Sequence, residues 1–231
     1  MTVIVPAYND ENVIQKTLKE IKKNTNQEVI VVDDGSKDDT FKEAMKVKGV
    51  KVIRHETNKG KGEAMRTGAR EAKEDILIFI DSSQFDPREI PKLERRLKHC
   101  DMVVGARDMS VIPWQRVITN KLTCLAIFLG TLKKYPDCLS GFRAIRKSTF
   151  LKLDTKMKDY RIEAEIMFKA GFNNLKVEFV PVKVTYEGEN PRQRHRSLSK
   201  YIQRRLLDES FYNIVMVLKC WVSKIFGKQL I

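Results

Sequence analysis

The chain has 231 residues, 42% of them hydrophobic, and 44 Lys and Arg against 30 Asp and Glu give it a formal net charge of +14. This is enough apolar content to bury the core of one α/β domain, and it excludes a disordered or low-complexity chain. Such an excess of positive charge calls for a polyanionic partner or an anionic surface. Nucleic acid is the rival reading, but no nucleic-acid-binding module is recognisable, and the sharpest motifs gather carboxylates, which repel a phosphate backbone.

The run Thr2-Val-Ile-Val-Pro-Ala7 reads as an apolar strand ending in the polar loop Tyr8-Asn-Asp-Glu11, and Met1 enters it with no signal-peptide pattern. Asn9 or Asp10 is placed to cap a helix with Val13, Ile14, Leu18 and Ile21 at helical spacing. A second strand, Val29-Ile-Val-Val32, runs into Asp33-Asp34-Gly35-Ser36. Carboxylates at the carboxyl end of a buried parallel strand stand where open α/β sheets bind ligands. Gly35 permits the tight reversal, and Ser36 or Asp38 is placed to cap the next helix. A strand followed by a plain acidic turn is the alternative.

These two segments, VIVPAYNDE and VVDDGSKDDT, resemble the opening of the family 2 glycosyltransferases, which include the dolichol-phosphate mannose synthases and other polyprenyl-phosphate sugar transferases. The resemblance implies a GT-A fold: a Rossmann-like α/β architecture with a mostly parallel sheet flanked by helices. It also implies that the two strand ends hold the nucleotide of a GDP- or UDP-sugar, which assigns Pro6, Tyr8, Asn9, Glu11, Asp33 and Asp34 to the donor. A carboxylate accepts the ring N–H of uracil or guanine. Asp34 is therefore taken as the contact to the base, with Asp33 buttressing the loop, although sequence does not divide the two roles.

The stretch Asn58-Lys-Gly-Lys-Gly-Glu-Ala-Met-Arg-Thr-Gly-Ala-Arg70 places two glycines and two lysines at a helix start. Glycines let the backbone approach an anion, helix N–H groups point at it, and lysine adds a mobile charge. The P-loop order is absent. The family has a similar N-x-G-K-G-x-A stretch near the donor diphosphate, which makes Lys61 the candidate there. A solvated basic helix start is the alternative.

A further strand, Asp75–Ile80, ends in Asp81-Ser-Ser-Gln-Phe-Asp-Pro87. Here the family carries an Asp-x-Asp metal motif, usually continued by Gln two residues later. Ser83 replaces the second Asp, and Gln84 arrives one residue early. A divalent ion needs hard oxygen ligands, and a hydroxyl is a weaker one than a carboxylate. Asp81, also part of the donor site, and Gln84 are expected to hold Mg or Mn, with Asp86 as a third candidate and donor phosphates completing the shell. The alternatives are a weakly bound metal and a nucleotide-sugar-binding protein impaired in catalysis.

Asp101–Arg107 is a strand similar to the family's acceptor edge, and its Arg107 is suited to a phosphate or to a salt bridge near Asp108. Val111–Leu132 is a mostly apolar helical stretch containing Trp114 and Arg116. It leads into Asp137-Cys-Leu-Ser-Gly-Phe-Arg143, and this D-x-x-S-G-F-R resembles the polyprenyl-phosphate branch of the family, where the region lies beside sugar and acceptor. Asp137 and Arg143 are therefore the catalytic candidates. A glycan hydroxyl needs a carboxylate to take its proton, which favours Asp137. A polyprenyl phosphate, the expected acceptor, is already anionic and needs positive charge, which favours Arg143 together with Arg107 and Arg196. Since the family inverts, the resemblance implies one in-line displacement, with the metal and Lys61 stabilising the leaving diphosphate.

The helix Tyr160–Lys169 carries Glu163 and Glu165 two positions apart, hence on different faces. Glu163 is expected near the active site or in solvent, and one of the two points outward. Leu175–Tyr186 alternates as a strand. Cys100, Cys124, Cys138 and Cys220 lack metal-site spacing and read as reduced thiols. The catalytic domain is drawn at 1–186 and a tail at 187–231. The tail holds Arg192, Arg194, Arg196, Lys200, Arg204 and Arg205 with no acid between them, then the mostly apolar 16-residue segment Phe211–Phe226, interrupted by Lys219 and Lys224. Spanning a membrane takes about 20 apolar residues. A basic amphipathic helix on an anionic membrane is therefore expected, in a cytoplasmic protein held peripherally on the cytoplasmic face. A helix packed on the core or on a second subunit is the alternative, and nothing in the sequence fixes the oligomeric state.

Overall fold

Seven strands in the order β3-β2-β1-β4-β6-β5-β7 form the central sheet of the computed structural model, which describes residues 1–184. The β-branched runs Thr2–Ala7 (β1) and Glu28–Asp33 (β2) pair in parallel and are buried along almost their whole length. Covering both faces of a strand in this way is what a continuous apolar run allows. Lys51–Arg54 (β3) extends the parallel sheet beyond β2, and Ile76–Phe79 (β4) lies on the other side of β1. Met102–Arg107 (β5) and Val177–Val182 (β7) are parallel to each other. Arg143–Arg146 (β6) runs against both β4 and β5, the one reversed strand in an otherwise parallel sheet.

Side chains of β1 alternate between two cores. Ile4 joins Met65, Leu77, Phe79, Phe150 and Met167 on one face, while Val3 and Val5 join Ile14, Leu18, Ile78 and Leu93 on the other. The helices Ile14–Asn24 (α1), Thr40–Met45 (α2) and Ile90–Leu97 (α4) cover the second face. Lys61–Glu71 (α3), Lys147–Lys152 (α6) and Ile162–Phe172 (α7) cover the first. Ile14, Leu18 and Ile21 are wholly buried in α1, each contributing about 1.5–3 kcal/mol. Trp114–Thr131 (α5) packs outside α7. As a result α7 is buried from Ile162 to Gly171, and Glu165, like Glu163, lies inside rather than in solvent.

Pro6 sets the position of the crevice. The ladder between β1 and β4 ends with the Ile80 N–H donating to the Ile4 carbonyl at 3.1 Å. Two residues further along the same edge stands Pro6, which has no N–H to offer, so pairing stops there. Its role is to end a strand and part β1 from β4 at their carboxyl ends. Strand order reverses at the same place, the position where doubly wound sheets bind ligands.

The expected side-chain cap of α1 is absent. α1 starts on the backbone carbonyl of Asp10, which accepts the N–H groups of Val13 and Ile14, and Asp10's carboxylate turns elsewhere. Asp38, by contrast, accepts the Thr40 N–H at 3.0 Å and its hydroxyl at 2.5 Å at the start of α2. Cys100, Cys124 and Cys138 are free thiols. Residues 185–231, which include Arg196, Cys220 and the whole of the basic tail, lie outside the described residues.

Candidate active site

Loops leaving β1 and β2 are laced together. The Asn9 N–H donates to Ser36 Oγ at 2.9 Å, and Asn9 Oδ1 accepts the Lys37 N–H at 2.9 Å. Glu11 Oε2 accepts the Asp39 N–H at 3.0 Å, and the Asp10 N–H donates to Thr40 Oγ1 at 2.7 Å. Asn9 holds a left-handed backbone, φ 54°, a conformation that Asn tolerates better than most residues. Tyr8 stands 37% exposed at the rim.

Asp34 is engaged by the protein around it. Its carboxylate is buried and taken up by the protein: His55 Nδ1 lies 2.7 Å from Oδ1, the Lys59 N–H donates to Oδ1 at 2.9 Å, and the Gly60 N–H to Oδ2 at 2.7 Å. In this arrangement Asp34 braces the glycine segment before α3. His55, which no sequence motif marks, completes the brace through Thr67 Oγ1 at 3.1 Å. Asp33 is also buried. It accepts the Ser36 N–H at 3.1 Å and pairs with Arg54 at 3.2 Å, the buttressing geometry.

The N–H groups at the start of α3, expected to face an anion, are largely consumed. Those of Lys59 and Gly60 go to Asp34, and that of Gly62 donates to the Lys158 carbonyl at 2.5 Å. The glycines serve close approach to protein instead. A Cβ on Gly62 would lie 2.1 Å from the Met157 carbonyl oxygen, and one on Gly60, at φ +94°, would lie 2.3 Å from that of Lys158. The segment crossing there is held from below by Glu165, whose carboxylate accepts the N–H groups of Lys156 and Met157 at 2.8–3.0 Å. Arg66 holds it from the side through the carbonyls of Thr155 and Met157.

Lys61 is the charged centre. Its ammonium lies 2.6 Å from Asp81 Oδ1 and 2.5 Å from Glu163 Oε1, with the Tyr160 ring 5.4 Å away. Burial works to lower the Lys61 pKa, but the two carboxylates outweigh it and hold the group protonated, above its ordinary value. Gly141 lets the Asp81 carboxylate lie against backbone, since a Cβ there would fall 2.2 Å from Oδ2. Asp10 stands on the other side. It accepts the Ser82 hydroxyl at 2.6 Å and the Tyr8 N–H at 3.2 Å. Burial, reinforced by Asp81 and Asp38, pushes its carboxyl above the usual range despite those two donors.

Both residues expected to act on the acceptor are enclosed. Arg143 is 1% exposed and donates from Nε to the Ser140 carbonyl, from Nη1 to that of Glu163 and from Nη2 to that of Cys138, at 2.7–2.9 Å. Burial lowers its pKa. Asp137 is fully buried in a two-pronged pair with Arg107, both contacts at 2.8 Å, and also accepts the Arg107 N–H. Arg143 therefore positions Glu163 and the 138–140 turn, and the Arg107–Asp137 pair ties that turn to β5. None of the three presents a free group to an acceptor.

Of the metal candidates, Asp81 lies in the crevice. Asp86 is directed elsewhere: it caps a 3-10 turn, accepts the Arg88 N–H and pairs with the Arg88 guanidinium. With Ser83 it lines a cavity of about 290 Å³ beside α1. Among the described residues no three His, Cys, Asp or Glu side chains converge as a metal site. Glu163 Oε2 is nevertheless buried without a partner beside Asp81 and Lys61. Such an orphaned oxygen, with the Asp81 carboxylate, fits a hard divalent ion that draws its remaining ligands from phosphate and water.

Residues 2–154 match the family model described as glycosyl transferase family 2. A UDP-N-acetylglucosamine–dolichyl-phosphate N-acetylglucosaminyltransferase of Methanococcus voltae is 30% identical over 213 residues, covering 80% of this chain and 85% of that protein. A dolichol-phosphate mannosyltransferase of Pyrococcus furiosus is 30% identical over 190 residues, 76% of this chain and 54% of that enzyme, so the chain spans about half its length. Among solved structures, glucosyl-3-phosphoglycerate synthase from Mycobacterium tuberculosis, in complex with Mn2+, UDP and glucosyl-3-phosphoglycerate, superposes with a TM-score of 0.70 at 23% identity, covering 90% of this chain and 79% of that one. That likeness extends to the fold, a mostly parallel sheet flanked by helices. With its crevice at the strand-order reversal and the family match across most of the described residues, the chain belongs to glycosyl transferase family 2 and is a glycosyltransferase.

Proposed function

We propose that the chain moves a sugar from a nucleoside-diphosphate sugar to a polyprenyl phosphate, with inversion at the anomeric carbon. The observation that carries this reading is the Asp81–Lys61–Glu163 cluster, charged, largely buried and set where β1 and β4 part. Donor contacts fall to Tyr8, Asn9 and Glu11 at the rim and to Lys61 and Asp81 within. In the proposed step an acceptor phosphate oxygen forms a bond to the anomeric carbon while the bond to the donor diphosphate breaks and the nucleoside diphosphate leaves with the electron pair. Lys61 offsets the charge that develops on the leaving diphosphate. A divalent ion held by Asp81 and Glu163 would supply further charge stabilisation there.

The enclosure of Asp137 favours a phosphate acceptor over a glycan hydroxyl, because a phosphate needs no base. Support also comes from the relatives in Methanococcus voltae and Pyrococcus furiosus, whose names state dolichyl-phosphate acceptors. Thermal-shift measurements with UDP, GDP, CDP and dTDP, each with and without Mn, test the donor half. Stabilisation by one nucleotide that depends on Mn is expected, and no stabilisation by any of the four would overturn the reading. Transfer from the matching radiolabelled sugar donor to a short polyprenyl phosphate in detergent tests the acceptor half.

A further inference from the structure

The side chains of α5 are arranged inside out. The face it turns to the core carries Thr119, Asn120, Thr123, Gly130 and Thr131, all buried, with Ile127 the large apolar residue among them. Asn120 secures this face: its Oδ1 accepts the N–H groups of Cys138 and Leu139 at 3.0 and 3.2 Å. The opposite side carries Trp114, Ile118, Leu122, Leu125, Leu129 and, just past the helix end, Leu132, between 43% and 71% exposed. At 100° per residue these six fall within about 80° of arc and run the roughly 27 Å of the helix. A helix on a protein surface normally turns its polar side outward. A continuous outward apolar stripe marks a contact surface.

Charge identifies what the stripe meets. No acid stands between Asp108 and Asp137, while the exposed Lys121 borders the stripe and the exposed Lys133 and Lys134 follow its end. A second copy docked antiparallel about a twofold axis would set Lys121 against its own counterpart and Lys133 and Lys134 against the partner's Trp114 end, where no acid is present to pair with them. The apolar segment Phe211–Phe226 carries Lys219 and Lys224 and no acid, so it would not neutralise them either. Acidic lipid headgroups do neutralise them, and acyl chains take the leucines. We propose that the outer face of α5 lies in the headgroup region of an anionic bilayer, with Trp114 at the level where an indole is favoured. Because α5 packs on α7, Glu163 then stands one helix layer, about 8–10 Å, behind the lipid-facing helix. This surface rests on α5 alone and does not depend on which acceptor is used.

The test uses the whole 231-residue chain carrying Trp221→Phe, which leaves Trp114 as its sole tryptophan. Vesicles of phosphatidylglycerol and phosphatidylcholine, free of polyprenyl phosphate, are expected to blue-shift its emission, and brominated acyl chains to quench it. The exposed-face variant L122S/L125S/L129S is expected to keep its melting temperature and to bind the same vesicles roughly tenfold or more weakly. Three results would overturn the proposal. They are vesicle binding without quenching of Trp114, Trp114 emission already blue-shifted and indifferent to lipid, and a dimer in sedimentation that the triple substitution dissolves. No sugar is transferred in these measurements, so they leave the acceptor reading untouched.

Discussion

Lys61 Nζ stands 2.6 Å from Asp81 Oδ1 and 2.5 Å from Glu163 Oε1, so one ammonium joins the start of α3 to the end of β4 and to α7. Lys61→Met keeps most of the volume and leaves the buried Glu163 carboxylate facing the partly buried one of Asp81. Removing one partner of a buried ion pair costs about 3–5 kcal/mol. The folded-state pKa of Lys61 is raised, so its contribution is present below about 10.4 and lost only as pH rises through the folded value. Between pH 6 and 9 wild-type melting should therefore show no lysine step. The variant is expected to melt lower at pH 7 and to recover on acidification, as one carboxyl takes a proton; a deficit that does not change with pH would count against this account.

Asp137→Asn discriminates a buried brace from a catalytic base. In the first case Arg107 loses its buried carboxylate partner, and urea unfolding should show a loss of about 3–5 kcal/mol. A combined Arg107→Gln and Asp137→Asn replacement is expected to regain part of it. If Asp137 were a base, unfolding would be unchanged and only turnover would fall.

Gly62→Ala sets a methyl group 2.1 Å from the Met157 carbonyl oxygen. The 155–160 segment must shift, at a cost of about 1–3 kcal/mol, and Tyr160 moves with it. Weaker nucleotide binding by calorimetry is expected alongside a lower melting temperature. Glu165→Gln should give a related loss by releasing the N–H groups of Lys156 and Met157 from a carboxylate. Native nucleotide affinity in both variants would show that the crossing segment does not shape the donor site.

Asp10 gives a pH signature of the opposite kind from a salt-bridged acid. Its folded-state pKa lies above the ordinary 3.8, mainly through burial. The folded state therefore holds the proton more tightly: the stability it contributes is present below about 3.8 and is lost as pH rises through the raised value. Asp10→Asn, neutral throughout, should melt above wild type at pH 7 and close to it at pH 3. A wild-type advantage at pH 7 would refute the assignment.

Much of the donor side is legible in the sequence because its signals are local. The apolar runs of β1, β2 and β4 each end in polar residues, and a parallel sheet brings such ends to one edge. The partners of the charged residues are not local. Asp34 meets Lys59 and Gly60, Asp137 meets Arg107, and Arg143 meets the backbone of Glu163, pairings made across the fold that no periodicity records. For that reason side chains read as acting on ligands are found bracing loops. Glu165 escapes a sequence reading because two-residue spacing implies opposite helix faces, and α7, covered by α5, has no outer face. β3 and β6, four residues each, are too short for alternation to register.

The reversed direction of β6 has a consequence for how the crevice is divided. In an all-parallel sheet the neighbour of Asp81 at this edge would be another departing loop. Here the chain arrives, and Gly141 brings backbone against Asp81 just before β6 begins. The crevice is thus a seam between two stretches of chain, 1–97 and 102–184, stitched at Asp81 with Gly141 and at Lys61 with Glu163. Variation in the 136–142 turn can therefore reshape one wall while the nucleotide-side wall, anchored in β1, β2 and α3, keeps its form.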